Sequence, residues 1–336
     1  MSEPLESTAR GVSERSETSG DPGDPGGESG RRRGKNARRA RPYRRFAMAA
    51  LLALLGAPAL FVAWRSYRVE REMCFPKPTL AGSPADVGLA DAREVSFESN
   101  GERLYGWYLP ARNGGAIALF HGAGGNRASL AAEARALHEG GFGVLLLELP
   151  GHGRSEGDVR WGRPEETAIR DAVQFLLRQP GVDAERLGAL GFSLGGYMLA
   201  RVARSDVRIR AVALEGTPAH LGDRIRHTHR RWGTFGAACA KLAFLQSGHD
   251  PERDSAHAAV PEIAPRALLI VTSEQDELVP RAMAETMFAA ARQPKALLVV
   301  PGNGHGGYAS RSRSYAADLV EFFRQGLGLT PWERTQ

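Results

Sequence analysis

Short apolar runs alternate with segments of helical period along most of this chain. Val95-Ser96-Phe97-Glu98 alternates in and out, Asn100-Gly101 is a hairpin turn signal, and Leu104 to Leu109 reads as the return strand. Apolar runs then predict strands at 115–120, 143–149, 187–192, 209–215, 267–272 and 296–300. Between them, helical patterns occupy 127–139, 165–178, 194–204, 281–292 and 312–326. Such alternation predicts an α/β fold with a mostly parallel central sheet and helices on both faces.

Two stretches break the rhythm. Residues 46–64 form an uncharged run, FAMAALLALLGAPALFVAW. As a helix its 19 residues would extend about 28 Å, close to the hydrocarbon thickness of a bilayer. Pro58, harmful in a soluble helix, is tolerated in a membrane one. The alternative is a secretory signal peptide cleaved near Ala57-Pro58-Ala59, giving a secreted protein, but LFVAW prolongs the apolar run past that site. The second break is 217–262. There a charged cluster from Arg224 to Trp232 and an apolar helical stretch from Phe235 to Leu245 are inserted between two strand units, where a lid over a site is expected.

Charge sharpens the first of these readings. The chain is formally +6, but residues 1–46 hold 11 Lys/Arg against 7 Asp/Glu, which leaves the rest only +2. Residues 31–45 carry nine positive charges and no negative one, directly before the apolar run; Arg65, Arg68 and Arg71 follow it. That asymmetry predicts a cytoplasmic tail and a folded domain on the extracytoplasmic side. A near-neutral folded part without a basic, aromatic-interleaved face speaks against nucleic acid. Residues 1–30 are too polar and Gly/Pro-rich to fold. Only Cys74 and Cys239 are present, with no zinc spacing, and His227 and His229 fall on different faces of a helix, so no metal site is expected.

The chemistry gathers at strand ends. Strand 187–192 runs into Gly191-Phe192-Ser193-Leu194-Gly195, and a serine in this spacing between strand and helix sits on a sharp elbow. A serine hydroxyl needs a base, and the base needs an orienting carboxylate. Strand 267–272 opens into Ser273-Glu274-Gln275-Asp276-Glu277, and strand 296–300 into a glycine-rich loop with one histidine, His305. Asp276 is preferred over Glu274 and Glu277 for its shorter reach. The developing oxyanion needs backbone donors: the N–H of Leu194 just after the nucleophile, and that of Ala123 in the loop His121-Gly122-Ala123-Gly124-Gly125. No cofactor is required, since water completes the reaction.

These segments, HGAGG at 121–125, PGHGRS at 150–155, GFSLGG at 191–196, SEQDELVP at 273–280 and GNGHGG at 302–307, resemble the α/β-hydrolase superfamily. Residues 72–326 are most similar to its membrane-anchored, single-pass branch of serine esterases and thioesterases. The resemblance implies a structural role for the Gly-His-Gly-Arg-Ser turn, so His152 and Arg154 stay outside catalysis. The expected organisation is a disordered basic tail (1–45), a transmembrane signal anchor (46–64), a linker (65–92) and an α/β-hydrolase domain (93–328) with its small helical lid (217–262). The expected activity is hydrolysis of small or lipid-like carboxylic esters or thioesters through an acyl-enzyme, with Ser193, His305 and Asp276 as the triad. The rivals are a serine peptidase on the same triad and a catalytically inactive, membrane-tethered binding scaffold.

Overall fold

A computed structural model describes residues 40–331 apart from 74–76, 247, 254 and 303. The tail expected over 1–45 lies outside the described residues as far as 39, as does Cys74. Contacts divide the chain into Met1–Ala57 and Pro58–Gln336, and the second unit holds the whole sheet.

The elements follow the hydrophobic pattern closely. After α1 (Ala40–Met73) and a 3₁₀ turn (Pro84–Val87) come β1 (Arg93–Ser99), β2 (Glu102–Leu109), β3 (Ala116–Phe120), α2 (Ala131–Glu139), β4 (Gly143–Leu147), α3 (Arg163–Leu177), β5 (Leu187–Phe192), α4 (Leu194–Ala203) and β6 (Ala211–Glu215). The insertion holds α5 (Leu221–Thr228), a 3₁₀ turn (Arg230–Trp232), α6 (Gly233–Gln246) and α7 (Ala256–Ala259). Then follow β7 (Ala267–Ser273), α8 (Arg281–Ala290), β8 (Lys295–Val300), α9 (Tyr308–Arg311) and α10 (Arg313–Gly326).

The eight strands form one sheet in the order β1-β2-β4-β3-β5-β6-β7-β8. β1 and β2 are a hairpin whose turn residues, Asn100 and Gly101, both have positive φ (53° and 81°), the backbone that a two-residue hairpin loop demands. β2 pairs antiparallel with β4, and every later pairing is parallel. β3 to β7 are buried along their length, as continuous apolar strands covered on both faces must be. Side chains of α3, α4 and α8 pack on one face, those of α2 and α10 on the other. All parallel strands therefore point their carboxyl ends at one edge, where ligands of such sheets sit.

Two boundaries differ from the sequence reading. The helix begins at Ala40, inside the expected disordered tail, because Arg and Ala are good helix formers beside the apolar run. Nor does it stop at Trp64; it continues through residues 65–73, the start of the expected linker. Charge marks where an apolar run ends, not where a helix ends. Residues 65–73 contain neither Gly nor Pro, and Ser66 and Val69 are buried, Val69 in the same core cluster as Leu104 and Tyr108. Within α1, Tyr43–Val69 is long and apolar enough to cross a membrane, and no residue of its most apolar window is buried. A signal sequence meets the same criterion.

Candidate active site

Ser193 lies between β5 and α4 with φ 51° and ψ −109°. A non-glycine residue in that region carries strain of about 1–3 kcal/mol and persists only where its surroundings enforce it. They do so here. The Ser193 N–H donates to the Glu215 carbonyl at 2.9 Å, and its own carbonyl accepts from Tyr197 at 2.9 Å. The flanking glycines make the turn possible: a Cβ on Gly195 would lie 2.2 Å from the Phe120 carbonyl oxygen, and one on Gly191 2.5 Å from that of Gly195. The serine is only 5% exposed.

Beyond β7, Asp276 faces inward while Glu274 and Glu277 are exposed. Asp276 Oδ1 accepts the backbone N–H groups of Leu278 (3.0 Å) and Val279 (2.8 Å), and Oδ2 accepts from His305 Nδ1 at 2.8 Å. A carboxylate offers no proton, so the network assigns the hydrogen to Nδ1 and leaves Nε2 with its lone pair. The His305 ring packs on Phe192, the residue before the serine, with centroids 4.7 Å apart. Ser193 Oγ and the ring exchange no hydrogen bond among the described residues; such bonds commonly tighten only around substrate. Two backbone donors are uncommitted among the described residues, the N–H of Leu194 at the start of α4 and that of Ala123 in the loop after β3.

That loop is held by a pair of histidines. His121 Nε2 accepts from the Leu149 N–H at 3.1 Å, so its Nδ1 carries the proton and donates to the Gly122 carbonyl at 2.8 Å. His152 repeats the pattern, accepting from Gly124 N–H at 3.0 Å and donating to the Pro150 carbonyl at 3.0 Å. Their rings meet edge to face at 4.7 Å. Burial, and then the neighbouring His152, push His121 down to about 3; burial lowers His152 too. The turn around His152, read from sequence as structural, thus fixes the loop that carries Ala123.

The sign of the resulting pH effect follows directly. An unfolded histidine binds a proton below about 6.5, while folded His121 stays neutral down to about 3. Its contribution is therefore whole above 6.5 and falls by about 1.4 kcal/mol per unit between the two, and the lowered His152 acts in the same direction. Buried Glu133, Glu148, Glu165 and Glu215, all raised mainly by burial, work in the opposite sense. A difference measurement separates the two. The stability advantage of the native chain over His152→Gln should shrink as pH falls below 6.5 in urea titrations. An advantage constant from pH 7 to 5 would contradict a neutral His152.

Several groups were out of reach of sequence reasoning. Behind the elbow, Tyr315 donates to Glu215 Oε1 and Glu133 Oε1 accepts the Ala309 N–H at 3.1 Å, so two buried glutamates brace the chain just after His305. From the lid, Arg224 lies over Trp161, and its buried guanidinium is pushed down to about 10 by desolvation, with Asp276 acting in the opposite direction. His227 Nε2 lies 2.9 Å from the Glu277 carbonyl, which ties α5 to the acid loop. Among the described residues, no group of three or more His, Cys, Asp or Glu is placed to hold a metal ion.

Comparison with known proteins gives a consistent picture. The sequence profile of the prolyl oligopeptidase family matches residues 128–330. An uncharacterised protein of Mycobacterium tuberculosis is 32% identical over 253 residues, 72% of this chain and 81% of that protein. A thiohydrolase, aneE, of Aspergillus aculeatus is 34% identical over 125 residues, 35% of this chain and 39% of that protein. Among solved structures, an esterase of Pyrococcus furiosus superposes with a TM-score of 0.61 at 17% identity, covering 75% of this chain and 99% of its own.

Proposed function

From the premise that this chain belongs to the prolyl oligopeptidase family and has the α/β-hydrolase fold, we propose that it is a membrane-anchored serine hydrolase of carboxylic esters or thioesters. The observation that carries the reading is the Asp276–His305 pair, bonded at 2.8 Å and packed on the residue next to Ser193. In this reading Ser193 Oγ attacks the acyl carbon while His305 Nε2 takes its proton. The N–H groups of Leu194 and Ala123 receive the oxyanion, and collapse expels the alcohol or thiol with the proton from His305. Water then attacks the acyl-enzyme by the same relay and regenerates Ser193. Asp276 keeps the imidazole in the tautomer that makes Nε2 the base. The anchor in this reading is the apolar part of α1, with the catalytic domain on the side opposite the basic tail.

The esterase and thiohydrolase likenesses favour acyl oxygen and sulfur leaving groups, whereas the name of the family favours peptides. A panel of chromogenic esters and thioesters of increasing chain length, run beside matched anilides, decides between them. We expect turnover of the esters and thioesters and little of the anilides. Preferential anilide cleavage would replace the proposal by a peptidase, and failure of a fluorophosphonate to label the protein would end both.

A further inference from the structure

We propose that the outer face of the lid helix α6 is a membrane-docking surface, seated at the boundary between hydrocarbon and headgroups of a lipid bilayer. The proposal rests on the reading that α1 spans the membrane, and it adds a second, lateral attachment.

The composition of α6 is the first ground. GTFGAACAKLAFLQ contains a single charge, Lys241, in 14 residues. Its inner positions Gly236, Cys239, Ala240, Ala243 and Phe244 are buried. The outward side carries Phe235, Leu242 and Leu245, with Trp232 just before the helix, each between 38% and 47% exposed, beside exposed Thr234, Lys241 and Gln246. Phe235, Leu242 and Leu245 follow helical spacing and make one stripe. Large apolar side chains belong in a core or in lipid, and water on this stripe is the costly alternative.

Position selects the occupant. Phe61 stacks on Phe235 at 5.8 Å with an interplanar angle of 8°, and lies 6.5 Å from Trp232 and 5.7 Å from Trp64. Phe61 belongs to the candidate span, three residues before the end of its uncharged run. Arg65, the first charge after that run, donates to His229 Nδ1 at 3.1 Å. The lid therefore touches α1 where hydrocarbon gives way to headgroups, and the Trp232–Phe235 end of the stripe meets the last apolar residues of the span. Tryptophan and phenylalanine at that level are characteristic of interfacial helices. Beside the stripe, Arg226, Arg230 and Lys241 line a hollow of about 440 Å³, together with Glu252. Glu252 pairs there with Arg226 at 3.0 Å and Lys241 at 3.8 Å, so the polar rim beside the stripe is already neutralised within the lid.

The docking matters for the site because α5, the other arm of the lid, is tied to the Asp276 loop through His227. A lid held in the bilayer boundary faces the acid loop from the membrane side.

The test uses the full chain in proteoliposomes, in a Cys74→Ser, Cys239→Ala background. An environment-sensitive fluorophore is attached at Leu245→Cys, or as control at Asp318→Cys on the exposed side of α10. Retained hydrolysis of a soluble ester reports an intact fold. We expect lipids carrying an acyl-chain nitroxide to quench the Leu245 label strongly and the Asp318 label hardly, with aqueous iodide giving the reverse. A Leu245 label open to iodide like the control overturns the docking. One shielded from both quenchers also overturns it and points to a second copy of the chain on this face. Alkaline carbonate extraction tells the two readings apart: protein that stays in the membrane with an iodide-accessible Leu245 label refutes the docking alone, whereas extracted protein refutes the anchor and the docking with it.

Discussion

Ser193→Ala should lose roughly a millionfold in turnover, the scale on which removing the nucleophile of a serine triad acts. The elbow that lifts this one hydroxyl is built by steric fits at Gly191 and Gly195, and the variant keeps both while losing the oxygen that attacks. The fold should survive. The hydroxyl is not part of the turn's framework, whose bonds run through the Ser193 backbone to Glu215 and Tyr197. Thermal melting within a few degrees of the native protein, with ester hydrolysis at background and no fluorophosphonate labelling, is the expected result. Labelling equal to the native chain would remove Ser193 from the mechanism. An inactive scaffold, the remaining rival, predicts no activity to lose in the first place.

Asp276→Asn should cost less, about 10⁴ in kcat/KM. The amide can keep its oxygen on the N–H groups of Leu278 and Val279, so the loop holds its shape. What changes is the atom facing His305. An N–H2 group in place of Oδ2 requires a lone pair on Nδ1, which moves the ring proton to Nε2 and removes the base from the side of the serine. Exposed Glu274 and Glu277 supply a built-in control, since their amides should stay near native activity. If Glu277→Gln fell further than Asp276→Asn, the assignment of the acid would be wrong.

Much of this arrangement was legible in the sequence because it is local. An apolar run of five to seven residues ending in a glycine-rich or acidic loop announces both a buried strand and the place where its side chains reach the sheet edge. The elbow at Ser193, the acid after β7 and the histidine after β8 each follow from one such segment. The groups that sequence missed draw their meaning from other segments. His152 matters through Gly124, 28 residues away. Glu215 reads as the polar end of a strand until Tyr315 from α10 reaches it, and Arg224 reads as one charge in a basic cluster until burial puts it over Trp161. The end of α1 was missed for the reverse reason. Its last turns are charged in sequence, and only their packing shows them to be part of the domain.

That packing has a consequence for where the enzyme works. A catalytic domain on a flexible tether samples a volume whose radius grows with the square root of the tether's length, about 25 Å for twenty flexible residues. Such a domain can reach across to a facing membrane or out to soluble partners. Here the stretch that would have been a tether begins as helix, with Ser66 and Val69 buried. On the anchored reading of α1, the first residues past its apolar run then belong to the folded domain and add no length to a tether. A shorter tether narrows the volume the domain can search and favours substrates carried in the adjoining leaflet.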